Sequence, residues 1–306
     1  MSHETSTYHV PVLLDPVLAA ARGARRVVDA TLGDGGHAAA FLKSGAEVLG
    51  IDRDPEAIAV ARRRLGEDGI EYILAPYASA EALAAVHRFR PEFILLDLGV
   101  SSRQLDETSR GFTFRAGAPL DMRMGAAGST AAELLNEAGT ATLEAIFRDF
   151  GDERRARRLA AEIIRRRERR PFSTSDDLVN AIRGALGPHT GPGDFARLFQ
   201  AVRIAVNHEL ENLEGALPQF RDSLQPGGRL SVITYHSGED RLVKQAFRQW
   251  ASGCVCPPGL PACACGGRSR GRIDPRKPIQ PTDAELALNP RARSAKLRMF
   301  VVDDTA

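Results

Sequence analysis

No stretch of this chain stays apolar for anything near the roughly 20 residues that a helix needs to cross a bilayer, and its first residues carry no basic-then-apolar leader. A soluble, cytoplasmic protein is expected. Charge of a single sign is missing too: 41 Lys plus Arg face 39 Asp plus Glu, and the net +2 by itself points to no polyanionic partner. Cysteine is scarce. The four present all fall between Cys254 and Cys265, which excludes a disulfide framework spread through the fold. Absent as well is the G-x-G-x-x-G spacing of a dinucleotide site.

What is present is ordinary globular composition, 43% apolar and 26% charged over 306 residues, enough for one large or two moderate domains. Its organising stretch runs from Asp29 to Asp52, D-A-T-L-G-D-G-G-H through to L-G-I-D. Arg26-Val27-Val28-Asp29 reads as a short buried strand, and Gly33, Gly35 and Gly36 follow where that strand turns into a helix. Glycines there let the backbone come close to a ligand, while the helix N-terminus offers unpaired N–H groups. A second strand, Glu47 to Ile51, ends on Asp52, about 20 residues past the first glycine, where a Rossmann-like crevice keeps the carboxylate that holds a ribose. Asp29 stands four positions before that glycine. A carboxylate there suits an ammonium group better than a pyrophosphate, and S-adenosylmethionine carries one.

Along the chain, Asp15 and Pro16 are placed as N-cap and first residue of a helix to Ala21. Helical spacing follows over Pro55–Leu65 and Ser79–Arg88, with strands at Tyr72–Leu74 and Phe93–Asp97. Strands alternating with helices predict a parallel, doubly wound sheet. Ser101 to Met124 shows no long pattern, and helices are then expected over 131–135, 142–147, 152–167, 176–186 and, as one piece, 195–217. The sheet resumes at Gly227–Thr234; a helix spans Glu239–Trp250, an irregular segment reaches Ser294, and Ala295–Val302 closes the sheet. The expected organisation is a sheet domain in two parts, 1–110 and 207–306, around an all-helical insertion at 111–206.

Ligands of open α/β sheets bind beyond the carboxyl ends of the strands. The stretch Asp29 to His37, then Asp52, Tyr77 and Asp97, each follow one of the first four strands, so all line one crevice. There Asp52 would accept from ribose hydroxyls, Tyr77 would stack or edge against adenine, and the glycine turn would hold an amino-acid moiety.

The strings D-G-G-H, G-I-D-R-D-P, L-L-D-L-G-V-S-S-R-Q-L-D, R-G-F-T-F, P-L-D-M-R-M, F-Q-A-V-R-I-A-V-N-H-E-L, P-G-G-R-L-S-V-I-T-Y-H-S-G-E-D-R and N-P-R-A-R-S-A-K-L-R occur in this order over nearly the whole chain. Together they resemble the bacterial small-subunit rRNA (cytosine-N4) methyltransferase family, the MraW type. The resemblance implies a Rossmann-like class I methyltransferase sheet, S-adenosylmethionine as donor, and as acceptor a cytosine in the decoding region of 16S rRNA, in the small ribosomal subunit. It carries donor contacts to Gly35, Gly36, His37, Asp52, Tyr77, Asp97 and Gln104. At Tyr77 relatives often have Phe, so its hydroxyl is not expected to be essential.

Many amino-methyltransferases follow the fourth strand with Asn/Asp/Ser-Pro-Pro-aromatic; here D-L-G-V-S-S lacks the prolines and the aromatic. Asp97 is the first candidate to accept a bond from the target amino group and then its proton. Tyr235 and His236, after the fifth strand, are candidates to hold a flipped base, with a structural imidazole the alternative for His236.

The segment 111–206 holds 15 Arg against 12 acids, so it carries +3 and the remainder −1. Between Arg154 and Arg170 lie nine Arg and two Glu, while Ala156, Leu159, Ala160, Ile163 and Ile164 keep the spacing of one buried face. The opposite face is cationic, either phosphate-binding or merely solvated. Arg268–Lys277 and the run at Asn289 extend the basic character. Cys254, Cys256, Cys263 and Cys265 are a structural zinc candidate or free thiols, since the C-x-C spacing is tighter than usual for zinc. Two other readings stay open: a methyltransferase on another RNA or DNA base, and a non-catalytic rRNA-binding assembly factor.

Overall fold

The computed structural model describes residues 11–253, 256 and 267–304. It divides into two compact units, one formed by residues up to 99 with those from 210 onwards, the other by Val100–Glu209. The run of helical patterns put the insertion at 111–206; the second compact unit spans Val100–Glu209.

The first unit is built on β1 (Arg26–Asp29), β2 (Glu47–Asp52), β3 (Ile70–Leu74), β4 (Phe93–Asp97), β5 (Arg229–Thr234), β6 (Gly271–Ile273) and β7 (Lys296–Val302), in the order β3-β2-β1-β4-β5-β7-β6. Strands β1 to β5 are parallel, and β7 runs antiparallel to both β5 and β6. This is the doubly wound, Rossmann-like sheet expected. Successive side chains of a strand point to opposite faces, and here both faces are apolar. Val28, Leu49, Ile94, Leu96 and Val232 join one core, while Val27, Val48, Phe93, Leu95 and Ile233 join the other. A sheet buried on both sides needs helices on both sides.

Helices α1 (Leu14–Ala20), α2 (Gly36–Lys43), α3 (Pro55–Leu65) and α4 (Ala80–Phe89) accompany the first strands. The second unit holds α5 (Ser102–Asp106), α6 (Ala131–Glu137), α7 (Thr140–Ala145), α8 (Ala156–Arg167), α9 (Ser175–Leu186) and α10 (Pro192–Asn207). After it come α11 (Glu209–Ser223), α12 (Ser237–Ser252) and α13 (Asp283–Leu288). In the first unit, α1, α2 and α3 give Val17, Phe41 and Ala61 to one core, and α4, α11 and α12 give Val86, Phe220 and Phe247 to the other.

In the helical unit, α8 buries Ala156, Leu159, Ala160 and Ile163, the face that the sequence spacing specifies. They pack with Leu178 and Ile182 of α9 and Leu198 and Val202 of α10. Buried Asn207 ties α10 to the loop before α6: its side chain accepts from the Met124 N–H at 2.8 Å and donates to the Met122 carbonyl at 2.7 Å.

Several expectations are corrected. The helix expected over 195–217 is two, because His208 takes a left-handed conformation (φ 52°) that no helix can pass through. Helix α1 starts at Leu14 after a left-handed Leu13, so Asp15 lies inside it and not at its cap. Proline in the first turn costs no helical bond, which lets Pro16 follow. The segment expected to be irregular contains β6 and α13; three residues of strand are too few to show a period.

Candidate active site

The strand order reverses between β1 and β4, and a doubly wound sheet takes ligands in the crevice at such a point. Asp52 and Asp97 end β2 and β4. Asp29 pairs in register with Gly50 and Leu95, two residues before those acids, so it lies about 7 Å deeper at the usual strand rise. It is 1% exposed. The carboxylate read as lying beside a ligand is thus the floor beneath the crevice, accepting from the Thr31 N–H at 3.3 Å.

The glycine turn is tied to both neighbouring strands. Asp52 accepts the Gly33 N–H on one oxygen and the Asp54 N–H on the other, each at 2.8 Å. On the far side, the Asp97 N–H donates to the Thr31 hydroxyl at 2.6 Å. Each Asp52 oxygen keeps a lone pair for a further donor. Gly33 (φ 52°) is the glycine beside open space, where a Cβ would come no nearer than 4.0 Å to the Thr31 carbonyl. The other two are small for reasons of packing: a Cβ at Gly35 would meet Leu65 at 2.8 Å, and one at Gly36 would meet Pro11 at 2.6 Å.

Burial dominates the electrostatics. It pushes Asp29 up to about 7, Asp52 up to about 6 and Asp97 up to about 7, and mutual repulsion raises Asp29 further. Backbone donors at Thr31 and Ala38 partly offset this for Asp29. The imidazole facing Asp97 supplies no charge: burial lowers His37 to about 4. The His37 Nε2–H donates to the Val12 carbonyl at 3.0 Å, and Nδ1 lies 3.8 Å from Asp97 Oδ2. Three carboxylates thus converge, and the neighbouring Arg53 guanidinium offsets burial only in part at Asp52. A site of this kind is complementary to a cationic ligand.

Asp97 is set by Tyr235, which follows β5 and whose hydroxyl donates to Asp97 Oδ1 at 2.7 Å. Burial and the neighbouring carboxylate push that phenol well above its ordinary range, so it remains a donor. Sequence reasoning valued Tyr235 as a surface for a base; its hydroxyl bond to Asp97 was not legible. Thr31 was missed altogether, although it sits inside the D-A-T-L-G turn. His236 is the N-cap of α12: its Nδ1 accepts the Glu239 N–H at 3.4 Å, and Glu239 reaches back to the Tyr235 and His236 N–H groups at 2.8 and 3.3 Å. That reciprocal cap gives the imidazole a structural role.

Tyr77 follows β3, partly buried, with its ring 6.2 Å from that of Phe220. Gln104 lies in the second unit, where its side chain accepts the Ser101 N–H at 3.1 Å and completes the cap of α5. Of the cysteines, Cys254, Cys263 and Cys265 lie outside the described residues, and Cys256 is half-buried. In the helical unit the arginines separate into two kinds. Arg165 and Arg166 pair with Glu162 at 2.7 and 2.6 Å, Arg155 donates to the Leu186 carbonyl, and Arg167 to the Leu135 and Ala138 carbonyls. Arg154, Arg157 and Arg158 are exposed, with no carboxylate against them among the described contacts.

Comparison with known proteins adds a lineage to this geometry. The model of the MraW methylase family matches residues 6–302. The chain is 57% identical to a protein of Gemmatimonas aurantiaca named Ribosomal RNA small subunit methyltransferase H, over 98% of this chain and 96% of that one. A protein of the same name from Heliobacterium modesticaldum is 46% identical over 95% of this chain and 97% of its own. One from Geobacter sp. strain M21 is 45% identical over 95% and 97%.

Proposed function

The chain belongs to the MraW methylase family, and from that membership and the crevice at β1 and β4 we propose that it is an rRNA methyltransferase using S-adenosylmethionine. Its proposed target is the exocyclic N4 of one cytosine in the decoding region of 16S rRNA, within the small ribosomal subunit. The observation that carries the donor half is the set of three carboxylates, buried Asp29 with half-buried Asp52 and Asp97, around a glycine turn that leaves open space only at Gly33. Burial makes each carboxylate costly to ionise, and a sulfonium with an ammonium group would offset that cost. The names of the relatives support the acceptor half.

S-adenosylmethionine, when bound, supplies an electrophilic methyl group on a cationic sulfur. Asp52 would hold ribose hydroxyls with the lone pairs that Gly33 and Asp54 leave it. The first-turn N–H groups of α2, at Gly36 and His37, together with Asp97 would hold the amino-acid moiety, and Tyr77 would border the adenine. In-line displacement needs alignment and exclusion of water more than covalent help from the protein. The N4 lone pair of cytosine is delocalised into its ring, so an acceptor on the amino group raises its nucleophilicity. Asp97 fills that role: Tyr235 fixes one of its oxygens, and the carboxylate takes the N–H proton once the new N–C bond has formed. A base titrating near 7 suits the exchange at neutral pH. The exposed arginines of α8 are the proposed phosphate contacts.

Mapping modified nucleotides in 16S rRNA from cells with and without this protein tests the assignment. Loss of one N4-methylcytosine is expected; an unchanged modification pattern, or loss at another base, would overturn it.

A further inference from the structure

The helical unit carries an aromatic group that neither its core nor the crevice uses. Phe114, in the R-G-F-T-F string, is 37% exposed, unusual for a phenylalanine in a unit with an apolar core. Its ring packs 5.9 Å from that of Phe195 and 6.1 Å from that of Phe199, both on α10. One side of Phe114 is thus supported by two aromatic rings while over a third of the residue stays open to solvent. The backbone around it is fixed to the start of α9. Gly117 N–H donates to Asp176 at 2.7 Å, Ser175 Oγ donates to the Arg115 carbonyl at 2.5 Å, and the tight approach of Gly111 to the Pro119 carbonyl leaves no room for a side chain at 111.

The charge beside this ring is mostly cationic. Arg115 is exposed, and the exposed Arg183 guanidinium lies 5.3 Å from the centroid of Phe195. Neither guanidinium has a carboxylate partner among the described contacts. The two acids close by are occupied: Asp176 accepts the Gly117 N–H, and Asp194 accepts the Gly191 N–H and an Arg197 bond. A supported aromatic ring with guanidiniums near it that have no carboxylate partner among the described contacts matches the combination that single-stranded nucleic acid uses, base on ring and phosphate on arginine.

We propose that Phe114, held on the rings of Phe195 and Phe199, is a stacking shelf for one unpaired RNA base, with Arg115 and Arg183 meeting the flanking phosphates. The proposal rests on the reading of this chain as an RNA-methylating enzyme. It adds to that reading a site that selects unpaired over paired RNA, because a base inside a duplex cannot offer its face to a protein ring. Stacking releases no counterions, so the shelf contributes affinity without adding to the salt dependence.

The test compares the full chain with Phe114→Leu and Phe114→Trp, using an unstructured RNA decamer and the duplex it forms with its complement. Leucine keeps the apolar contact with Phe195 and Phe199 but has no π-face. Phe114→Leu is expected to weaken decamer binding about ten-fold, within the range that loss of one base stack gives, with the salt slope and duplex binding unchanged. Phe114→Trp is expected to bind as the wild type and to lose indole fluorescence on adding the decamer; the single native tryptophan, Trp250, is buried and does not mask that signal. Wild-type affinity in Phe114→Leu, equal loss for decamer and duplex, or unquenched indole fluorescence in Phe114→Trp would overturn the shelf. So would a variant that loses only self-association in sedimentation, which would make the ring a contact between copies of this chain. If the wild type binds neither RNA, the proposed function fails along with the shelf, an outcome distinct from a wild type that binds while Phe114→Leu is unaffected.

Discussion

The two units hold charge in opposite ways. At the sheet, three carboxylates are gathered on adjacent strands, Asp29 buried and Asp52 and Asp97 half-buried, and desolvation raises all three, with Arg53 offsetting it only in part at Asp52. On α8, the arginines stand apart in water, and several are already engaged with Glu162 or with helix-end carbonyls. Buried charge is costly and specific to its ligand; dispersed surface charge is weak, screened and additive. A substitution in the crevice should therefore abolish one property, whereas one on α8 should shade a continuous one.

The largest expected effect is on Asp97. Asp97→Ala should lower methyl transfer to 16S rRNA by about 10²- to 10⁴-fold, the usual worth of a positioned acid or base, while RNA binding persists. Full activity in that variant would remove the carboxylate from the chemistry. Next, replacing Arg154, Arg157 and Arg158 together by Ala should weaken RNA binding and flatten its log–log salt slope by about 2, at roughly 0.7 per lost phosphate contact on a single strand. An unchanged slope would separate α8 from the RNA.

Arg167→Ala sharpens the contrast within the same helix. Its guanidinium donates to two carbonyls at the end of α6 at 3.0 and 2.7 Å, so the variant should lose about 1–2 kcal/mol of stability in denaturant unfolding and keep its salt slope. A normal midpoint with a lower slope would reverse the sorting of the arginines. A last effect is one of pH. Folding raises Asp29 from 3.8 to about 7, so between those values the folded state holds a proton that the unfolded state has lost, and stability falls as pH rises. Asp29→Asn removes that loss. Its melting temperature in the absence of ligand should match the wild type near pH 4 and exceed it progressively towards pH 8; a constant difference would mean that Asp29 is not held against its charge.

How much of this was legible depended on how local the cause was. Strand ends such as Asp52 and Asp97 could be read because a buried parallel strand is a short apolar run and the acid stands where the run stops. The buried face of α8 could be read from its period. The break at His208 could not, since no glycine or proline marks it. Nor could the uses of the glycines: Gly35 and Gly36 are small because Leu65 and Pro11 approach from distant parts of the chain. For the same reason the bond from Tyr235 to Asp97, which joins residues 138 apart, needed the fold.

The central claim is that the crevice is built for a cation and holds protons until one arrives. Calorimetric titration with S-adenosylmethionine at pH 6.5, repeated in buffers of different ionisation enthalpy, counts the protons exchanged on binding. Net proton release is predicted, smaller in Asp97→Asn than in the wild type. Binding with no release, or with proton uptake, would contradict the account.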